Sequence, residues 1–167
     1  DEWTSGMQPS DLLIVAGRPS MGKTTFAMNI VENALISTGA PILVFSMEMP
    51  ADALVMRMLS ILGRIDQSRI RSGKLEEDDW PRLTSAVSLL KDKPLYIDDT
   101  PALTIDALRM RARRLKRKNK IGLVVVDYLQ LMQSGRRETS REQEISAISR
   151  NLKGLAKDLN VPVLALS

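Results

Sequence analysis

Short apolar runs alternate with longer stretches of helical period along the 167 residues of this chain. Each run is apolar at consecutive positions, which is typical of strands buried on both faces of a parallel sheet. The intervening stretches are long enough to cross from one parallel strand to the next. We therefore predict an α/β fold, mainly a parallel sheet with helices on both faces, with strands at 12–16, 42–46, 95–98, 123–127 and 161–166 and helices at 23–37, 51–63, 77–91, 104–118 and 142–159.

The composition limits which side chains could act in catalysis or metal binding. Hydrophobic residues make up 44% of the chain, which is enough for the core of one domain, and the sequence contains neither cysteine nor histidine. This excludes disulfides, thiolate metal sites, cysteine nucleophiles and an imidazole base. Catalysis would have to use carboxylates, lysine, hydroxyls, backbone amides or a metal ion held by oxygen ligands.

Neither a membrane span nor a leader is predicted. No apolar run approaches the roughly 20 residues that cross a bilayer, so no membrane partner is expected. The opening segment DEWTSGMQPS lacks the basic and apolar regions of a signal peptide, which predicts a cytoplasmic location. Because the chain lacks an initiator methionine and stops directly after an apolar run, we expect it to be a piece of a longer polypeptide.

The positive charge of the chain comes from one segment. The net charge is +4, yet residues 109–120 hold 8 basic residues and no acid, so the remainder has 16 basic against 20 acidic residues. In the helix predicted at 104–118, four apolar residues follow a helical spacing (Ile105, Leu108, Ala112, Leu115), so the cations Arg111, Arg114 and Lys118 are predicted to face solvent. A covering helix on the sheet and an electrostatic contact with DNA or a protein partner both remain open.

The segment after the first predicted strand matches the phosphate-binding pattern GxxxxGK[ST] at every specified position. It lies directly between a strand and a helical stretch, which is the context that the mechanism needs. Glycines let the backbone wrap a phosphate, amides at the helix N-terminus point at it, the lysine reaches the β- and γ-phosphates, and the hydroxyl binds Mg²⁺. The residues of this candidate nucleotide cradle are Gly17, Arg18, Pro19, Ser20, Met21, Gly22, Lys23 and Thr24.

Two carboxylates could complete such a site. Asp127 ends the apolar run of the fourth predicted strand, which is the Walker B pattern. An acid that ends a strand is often only a cap, but together with residues 17–24 it indicates a Mg²⁺ ligand of the second shell. Tyr128 follows it, so the glutamate that many ATPases place next to this aspartate is missing. Glu48 is the best alternative, because it lies two residues beyond the second predicted strand, at the edge where α/β sheets bind ligands. From its position alone, a solvated loop glutamate is an equal alternative.

Four segments together are specific to a known family. GRPSMGKTTFAMN, FSMEMP, VVVDYLQLM and ISRNLKGLAKDLNVPVLALS resemble the ATPase domain of DnaB-type replicative DNA helicases, and the resemblance extends over residues 6–167. It implies a RecA-like P-loop NTPase core that uses ATP and Mg²⁺ to move 5′ to 3′ along single-stranded DNA and unwind the duplex. It also implies a homohexamer in the full-length protein, with a primase and a helicase loader as partners.

The resemblance also implies roles for individual residues. It makes the stretch from Ser20 to Thr25 the nucleotide cradle, with Lys23 and Thr24 at the γ-phosphate and Mg²⁺, Asp127 the Walker B acid and Glu48 the catalytic glutamate. It places Arg57 near the nucleotide base or an adjoining subunit, although an arginine on a helix surface is an equal alternative.

The chain also departs from the family by what it lacks. The family's γ-phosphate sensor glutamine, DNA-contacting loops, trans-acting Lys/Arg pair, N-terminal domain and linker helix are absent from the 167 residues. Residues 1–167 therefore read as a RecA-like ATPase domain truncated after the strand that ends near Ser167, incomplete for hexameric catalysis. The polar segment 133–141 follows Walker B and is a candidate DNA-facing loop.

Three other functions share parts of this pattern. A RecA-like recombinase or regulatory ring ATPase would have the same fold, a small-molecule P-loop kinase would pass the γ-phosphoryl group to a metabolite, and an assembly module would bind nucleotide without turnover. Kinases of that type usually need an arginine-rich lid, and no separate lid insertion is found in the sequence.

Overall fold

A computed structural model of the chain describes residues 8–15, 21–47, 49–101, 103–127 and 141–166. These residues form five strands and six helices, with at least one helix between each strand and the next. The elements are β1 (Leu12–Val15), α1 (Met21–Thr38), β2 (Ile42–Ser46), α2 (Ala51–Gly63), α3 (Gln67–Ser72), α4 (Asp79–Lys91), β3 (Leu95–Asp98), α5 (Ile105–Asn119), β4 (Leu123–Asp127), α6 (Arg141–Leu159) and β5 (Val163–Leu166).

All strand pairs in the sheet are parallel, and the strand order is β1-β5-β4-β2-β3. Every residue of the three inner strands is buried, whereas the edge strands β1 and β3 are partly exposed. This explains why the inner strands are apolar at consecutive positions, and it confirms the predicted α/β class with a parallel sheet.

Helices cover both faces of the sheet, so the core is divided into two layers. Leu43 and Phe45 of β2 pack with α5 and α6, while Ile42 and Val44 pack with α1 and α2. The strands β4 and β5 alternate in the same way, because successive side chains of a strand point to opposite faces. The stripe predicted on α6 is confirmed: Ile148, Leu152, Leu155, Ala156 and Leu159 are buried, and Ile145 packs against them.

Three predicted strands match the structure at both ends, while the last strand begins later than predicted and one helix was not predicted. The last strand begins at Val163, not at residue 161, because the backbone N–H of Val161 closes the end of α6 on the carbonyl of Ala156. Helix α3 was not predicted, since six residues are too few to show a periodicity. Position 16 of the first predicted strand lies outside the described residues.

Arg111 is only partly exposed to solvent. Its guanidinium donates to the Asp98 carboxylate at 2.7 Å and to the Thr100 hydroxyl at 2.8 Å, which ties α5 to the end of β3. Arg114 and Lys118 are exposed as predicted, and Ile105, Leu108 and Ala112 are buried, so the amphipathic character of α5 is confirmed.

Within the described residues, no helix is long and apolar enough to cross a membrane. No group of three or more acidic side chains that could hold a metal ion is found in the same part of the chain.

Candidate functional site

The carboxyl ends of β1, β5, β4 and β2 lie along one edge of the sheet because these strands run parallel side by side. Helix α1, which follows β1, begins at Met21 inside the phosphate-binding pattern. Its first turn contains no acidic residue, so the partial positive charge of its N-terminus is not offset locally. An anion would be favoured at this end of α1.

The residues of the cradle are only partly described by the structure. Met21, Gly22, Lys23 and Thr24 form the first turn of α1, where backbone N–H groups have no partner within the helix. Thr25 follows on the same helix and is half-buried. Gly17, Arg18, Pro19 and Ser20 lie outside the described residues, as do the side chains of residues 21–24.

Asp127 is the last residue of β4 and is 2% exposed. It is paired across the sheet with Ser46 of β2 and Leu166 of β5. Leu123 and Val125, four and two residues earlier, pack on the side of α1, so the strand pleat puts the Asp127 carboxylate on that side as well. The sheet therefore places the Walker B acid at the edge and on the face where α1 begins.

The connection from β2 to α2 contains Glu48, which itself lies outside the described residues. Before it, the backbone N–H of Met47 donates to the carbonyl of Asp127 at 2.8 Å. After it, Met49 bonds twice to the buried Ser46 hydroxyl, which donates to the Met49 carbonyl at 2.8 Å and accepts from the Met49 N–H at 3.3 Å. The two neighbours of position 48 are thus attached to the ends of β2 and β4.

A second pair of acids stands at the end of β3. The carboxylate of Asp99 accepts the backbone N–H of Ala51, the first residue of α2, at 3.0 Å. Burial raises the pKa of Asp98, but hydrogen bonds from Arg111 and Thr100 outweigh it and hold that pKa below its ordinary value. Asp98 is therefore ionised at neutral pH and keeps its ion pair with α5.

Arg57 is half-buried on α2, six residues after Ala51. At the helical rise this is roughly 9 Å along the helix axis, so Arg57 lies on the body of α2 rather than at its first turn. The structure neither confirms nor contradicts a contact with a nucleotide base or an adjoining subunit.

Sequence reasoning missed Ser46 and Asp99. A signal for Ser46 exists, because it is the one polar residue in the strand ILVFS and a buried hydroxyl needs a partner. Asp99 gives a weaker signal, since an acid after a strand is common and its contact with α2 depends on tertiary structure.

The family profile for the DnaB-like helicase C-terminal domain matches residues 1–167. The chain belongs to this family. The replicative DNA helicase DnaB of Buchnera aphidicola (subspecies Schizaphis graminum) is 55% identical over 166 residues, which are 98% of this chain and 36% of that protein. The replicative DNA helicase DnaB of Geobacillus stearothermophilus is 51% identical over 168 residues, covering all of this chain and 37% of the relative.

Two solved structures share the fold. One, solved as an ATPase domain, superposes with a TM-score of 0.90 at 31% identity, over 97% of this chain and 58% of that chain. The other, a DnaB-like replicative helicase studied with its interactions with primase, superposes equally well at 31% identity, over 97% of this chain and 39% of that chain. The resemblance and the RecA-like fold inferred from the motifs are thereby confirmed. The chain spans a little over a third of the length of the curated relatives that it matches.

Proposed function

We propose that this chain is the motor domain of a replicative DNA helicase, which couples ATP hydrolysis to 5′ to 3′ movement on single-stranded DNA and to unwinding of the duplex. The observation that carries the proposal is the position of Asp127. It is a buried acid paired with the end of β2 and placed on the face of the sheet where the helix of the phosphate-binding pattern begins. Because the chain belongs to the DnaB-like helicase family, we infer that this ATP site drives a helicase motor.

ATP and Mg²⁺ are the proposed cofactors, and the donors present suit them. Residues 17–24 would hold the phosphates, with Lys23 at the γ-phosphate, and the Thr24 hydroxyl and Asp127 would bind Mg²⁺ directly or through water. Mg²⁺ prefers such oxygen ligands, and when bound it neutralises charge on the β- and γ-phosphates. Thr25 would extend the cradle, Arg57 would lie near the base or an adjoining subunit, and Glu48 would act as the catalytic glutamate that activates water.

The proposed domain is residues 1–167, a RecA-like ATPase unit of a longer protein that acts in the cytoplasm. The proposed partners are single-stranded DNA, further copies in a homohexamer, a primase and a helicase loader. The primase is supported by the DnaB-like replicative helicase that was solved with its primase interactions. The segment 133–141 is proposed as a DNA-facing loop; residues 133–140 lie outside the described residues, and Arg141 is the first residue of α6.

The first test is the replacement of Glu48 by Gln in the full-length protein. We expect ATP turnover to fall by about 100-fold or more, because a general base contributes about that factor, while binding of ATP is retained. Turnover is measured with a coupled assay and binding with a fluorescent ATP analogue. Unchanged turnover would remove Glu48 from the catalytic role.

The second test separates the competing functions. A helicase motor is expected to hydrolyse ATP faster with single-stranded DNA and to unwind a fork that carries a 5′ tail. A small-molecule kinase would ignore the DNA, and an assembly module would bind ATP without turnover. A recombinase would be stimulated by DNA as well, but electron microscopy would show filaments on the DNA instead of closed six-membered rings.

A further inference from the structure

The connection between β2 and α2 is attached at three points: to the end of β2, to the end of β4 and to the residue that follows β3. It consists of residues 47–50 and includes the proposed catalytic Glu48. The Met47 N–H is bonded to the end of β4, Met49 is bonded to the end of β2, and the first N–H of α2 is bonded to Asp99 beyond β3. Loops are normally more mobile than the elements that they connect, and these bonds oppose such movement here.

Ser46 provides two of the hydrogen bonds in these attachments. Its side chain is fully buried, and its hydroxyl forms two hydrogen bonds to the same residue, as donor to the carbonyl of Met49 and as acceptor from the N–H of Met49. These two bonds join the residue two positions before Glu48 to the residue directly after it.

Asp99 supplies the outer attachment. Helix α2 is preceded by Pro50, whose side chain cannot accept a hydrogen bond and so leaves the helix without a cap from its own N-cap residue. The carboxylate of Asp99 takes over that role from the neighbouring strand by accepting the Ala51 N–H at 3.0 Å. Its negative charge also suits the N-terminus of a helix.

We propose that Ser46 is a positioning residue for the connection between β2 and α2, which carries the proposed catalytic Glu48, and that Asp99 is a second anchor of that connection. This inference rests on the proposed function, because it assumes that Glu48 acts in ATP hydrolysis. Catalytic groups lose about 100-fold in rate when they are displaced by about 1 Å, so an anchor two residues away can control turnover without touching ATP. Neither Ser46 nor Asp99 is a catalytic residue in this proposal.

The test is a comparison of Ser46→Ala and Ser46→Thr in the full-length protein with single-stranded DNA present. Ser46→Ala removes both hydrogen bonds, and kcat for ATP hydrolysis is expected to fall about 10- to 100-fold. KM for ATP and the affinity for a non-hydrolysable ATP analogue are expected to stay within about twofold, because the phosphate cradle is not altered. Ser46→Thr keeps the hydroxyl and is expected to retain most of the activity.

Ser60→Ala is the matched control. The Ser60 hydroxyl is half-buried and donates to the carbonyl of Ile65 at the other end of α2. Losing this bond is expected to lower the melting temperature while kcat stays unchanged. A purely structural role for Ser46 would likewise lower the melting temperature of Ser46→Ala and leave its kcat unchanged.

The outcomes separate this inference from the proposed function. If Glu48→Gln is inactive while Ser46→Ala turns over at the wild-type rate, the positioning role is overturned and the proposed function stands. If Glu48→Gln retains turnover, the proposed role of Glu48 fails and the positioning role fails with it. If Ser46→Ala does not fold, Asp99→Ala decides, because it removes only an exposed carboxylate; an unchanged kcat in that variant would also overturn the inference.

Discussion

At the scale of single residues, Asp79 is the charged side chain most completely enclosed in the part of the chain that the structure describes. It is fully buried at the start of α4, where its carboxylate accepts from the guanidinium of Arg82 at 2.6 Å and lies 3.4 Å from that of Arg69. The N–H of Glu76 donates to it at 3.0 Å. This hydrogen bond lowers the pKa of Asp79 and, with the two arginines, outweighs the opposing effect of desolvation.

We predict that Asp79→Asn lowers the melting temperature by several degrees at neutral pH, because it leaves two guanidinium groups without their shared counter-charge. A carboxyl whose pKa is lowered by folding stabilises the protein above its unfolded pKa of about 4, and this contribution is lost as pH falls through the folded value. The difference between the two proteins should therefore be largest above pH about 5 and shrink at lower pH. Calorimetry from about pH 3 to 7 measures it, and a constant difference would contradict the prediction.

The residues of the site differ in how far their roles can be predicted from sequence. Asp127 can be predicted because an acid at the end of an apolar strand is a local pattern. The same pattern places the acid at the carboxyl edge of the parallel sheet, where ligands bind. Ser46 and Asp99 cannot be assigned in the same way, since their partners depend on how strands β2, β3 and β4 are ordered in the sheet. Glu48 has no local signal that separates it from a solvated loop residue, and its proposed role comes from the family resemblance.

At the scale of elements, half of the cations in the basic segment 109–120, most of which lies in α5, form ion pairs or hydrogen bonds with other parts of the fold. Arg109 and Arg113 pair with Asp158 of α6, Arg111 pairs with Asp98, and the ammonium of Lys116 donates to the carbonyl of Ile121. Four exposed cations remain: Lys120 lies at the C-cap of the helix, and Arg114, Arg117 and Lys118 lie along one stripe. The cations of this stripe surround the exposed Met110 at a surface groove of about 420 Å³, which is lined by Met110, Arg113, Arg114, Arg117 and Lys118.

We predict that replacing Arg114, Arg117 and Lys118 together by Gln costs little stability, less than about 1 kcal/mol, because these exposed side chains lose mainly the favourable field of the helix C-terminus. Chemical denaturation measures this cost. The same triple variant tests DNA contact: each lost phosphate contact lowers the salt slope of DNA binding by about 1. Replacing Arg71, Lys74 and Lys91 by Gln changes the net charge equally and serves as the control. Equal slopes for both variants would leave α5 as a covering helix.

Helices and strands could be predicted where their hydrophobic pattern is local and extends over the whole element. Helix α2 and strands β2, β3 and β4 match at both ends, because buried strands and amphipathic helices repeat one pattern over their whole length. Helix α3 was missed even though Asp66 caps it by accepting from the Ser68 N–H and Gly73 ends it in the left-handed region at φ 73°. Its two caps are visible in the sequence, but six residues between them are too short a stretch to establish a helical period.

At the scale of the whole molecule, the proposed ATP site forms only in the folded sheet. There β5 lies between β1 and β4, and β2 lies on the other side of β4. A ligand that binds the folded state alone stabilises it, by about 2.7 kcal/mol at a concentration about 100 times its Kd. We predict that a non-hydrolysable ATP analogue with Mg²⁺ raises the melting temperature of the full-length protein.

Lys23→Ala supplies the control for this prediction, since it removes the charge that is proposed to reach the γ-phosphate. The variant is expected to show a much smaller rise at the same nucleotide concentration, and chelating Mg²⁺ from the wild type is expected to reduce the rise as well. Differential scanning fluorimetry measures all three. An equal rise in wild type and variant would argue against Lys23 as a phosphate ligand.

The sheet order also has a consequence for biosynthesis. Strand β1 lies at one edge of the described sheet, where its neighbour is β5, and Leu12 meets Val163 about 150 residues later in the chain. At typical translation rates of about 5–20 residues per second, β1 emerges roughly 8 to 30 s before its partner exists. During that time its backbone N–H and C=O groups offer an open edge to other nascent chains. Of the five described strands, the one that leads into the nucleotide cradle is thus synthesised first and gains its neighbour in the sheet last.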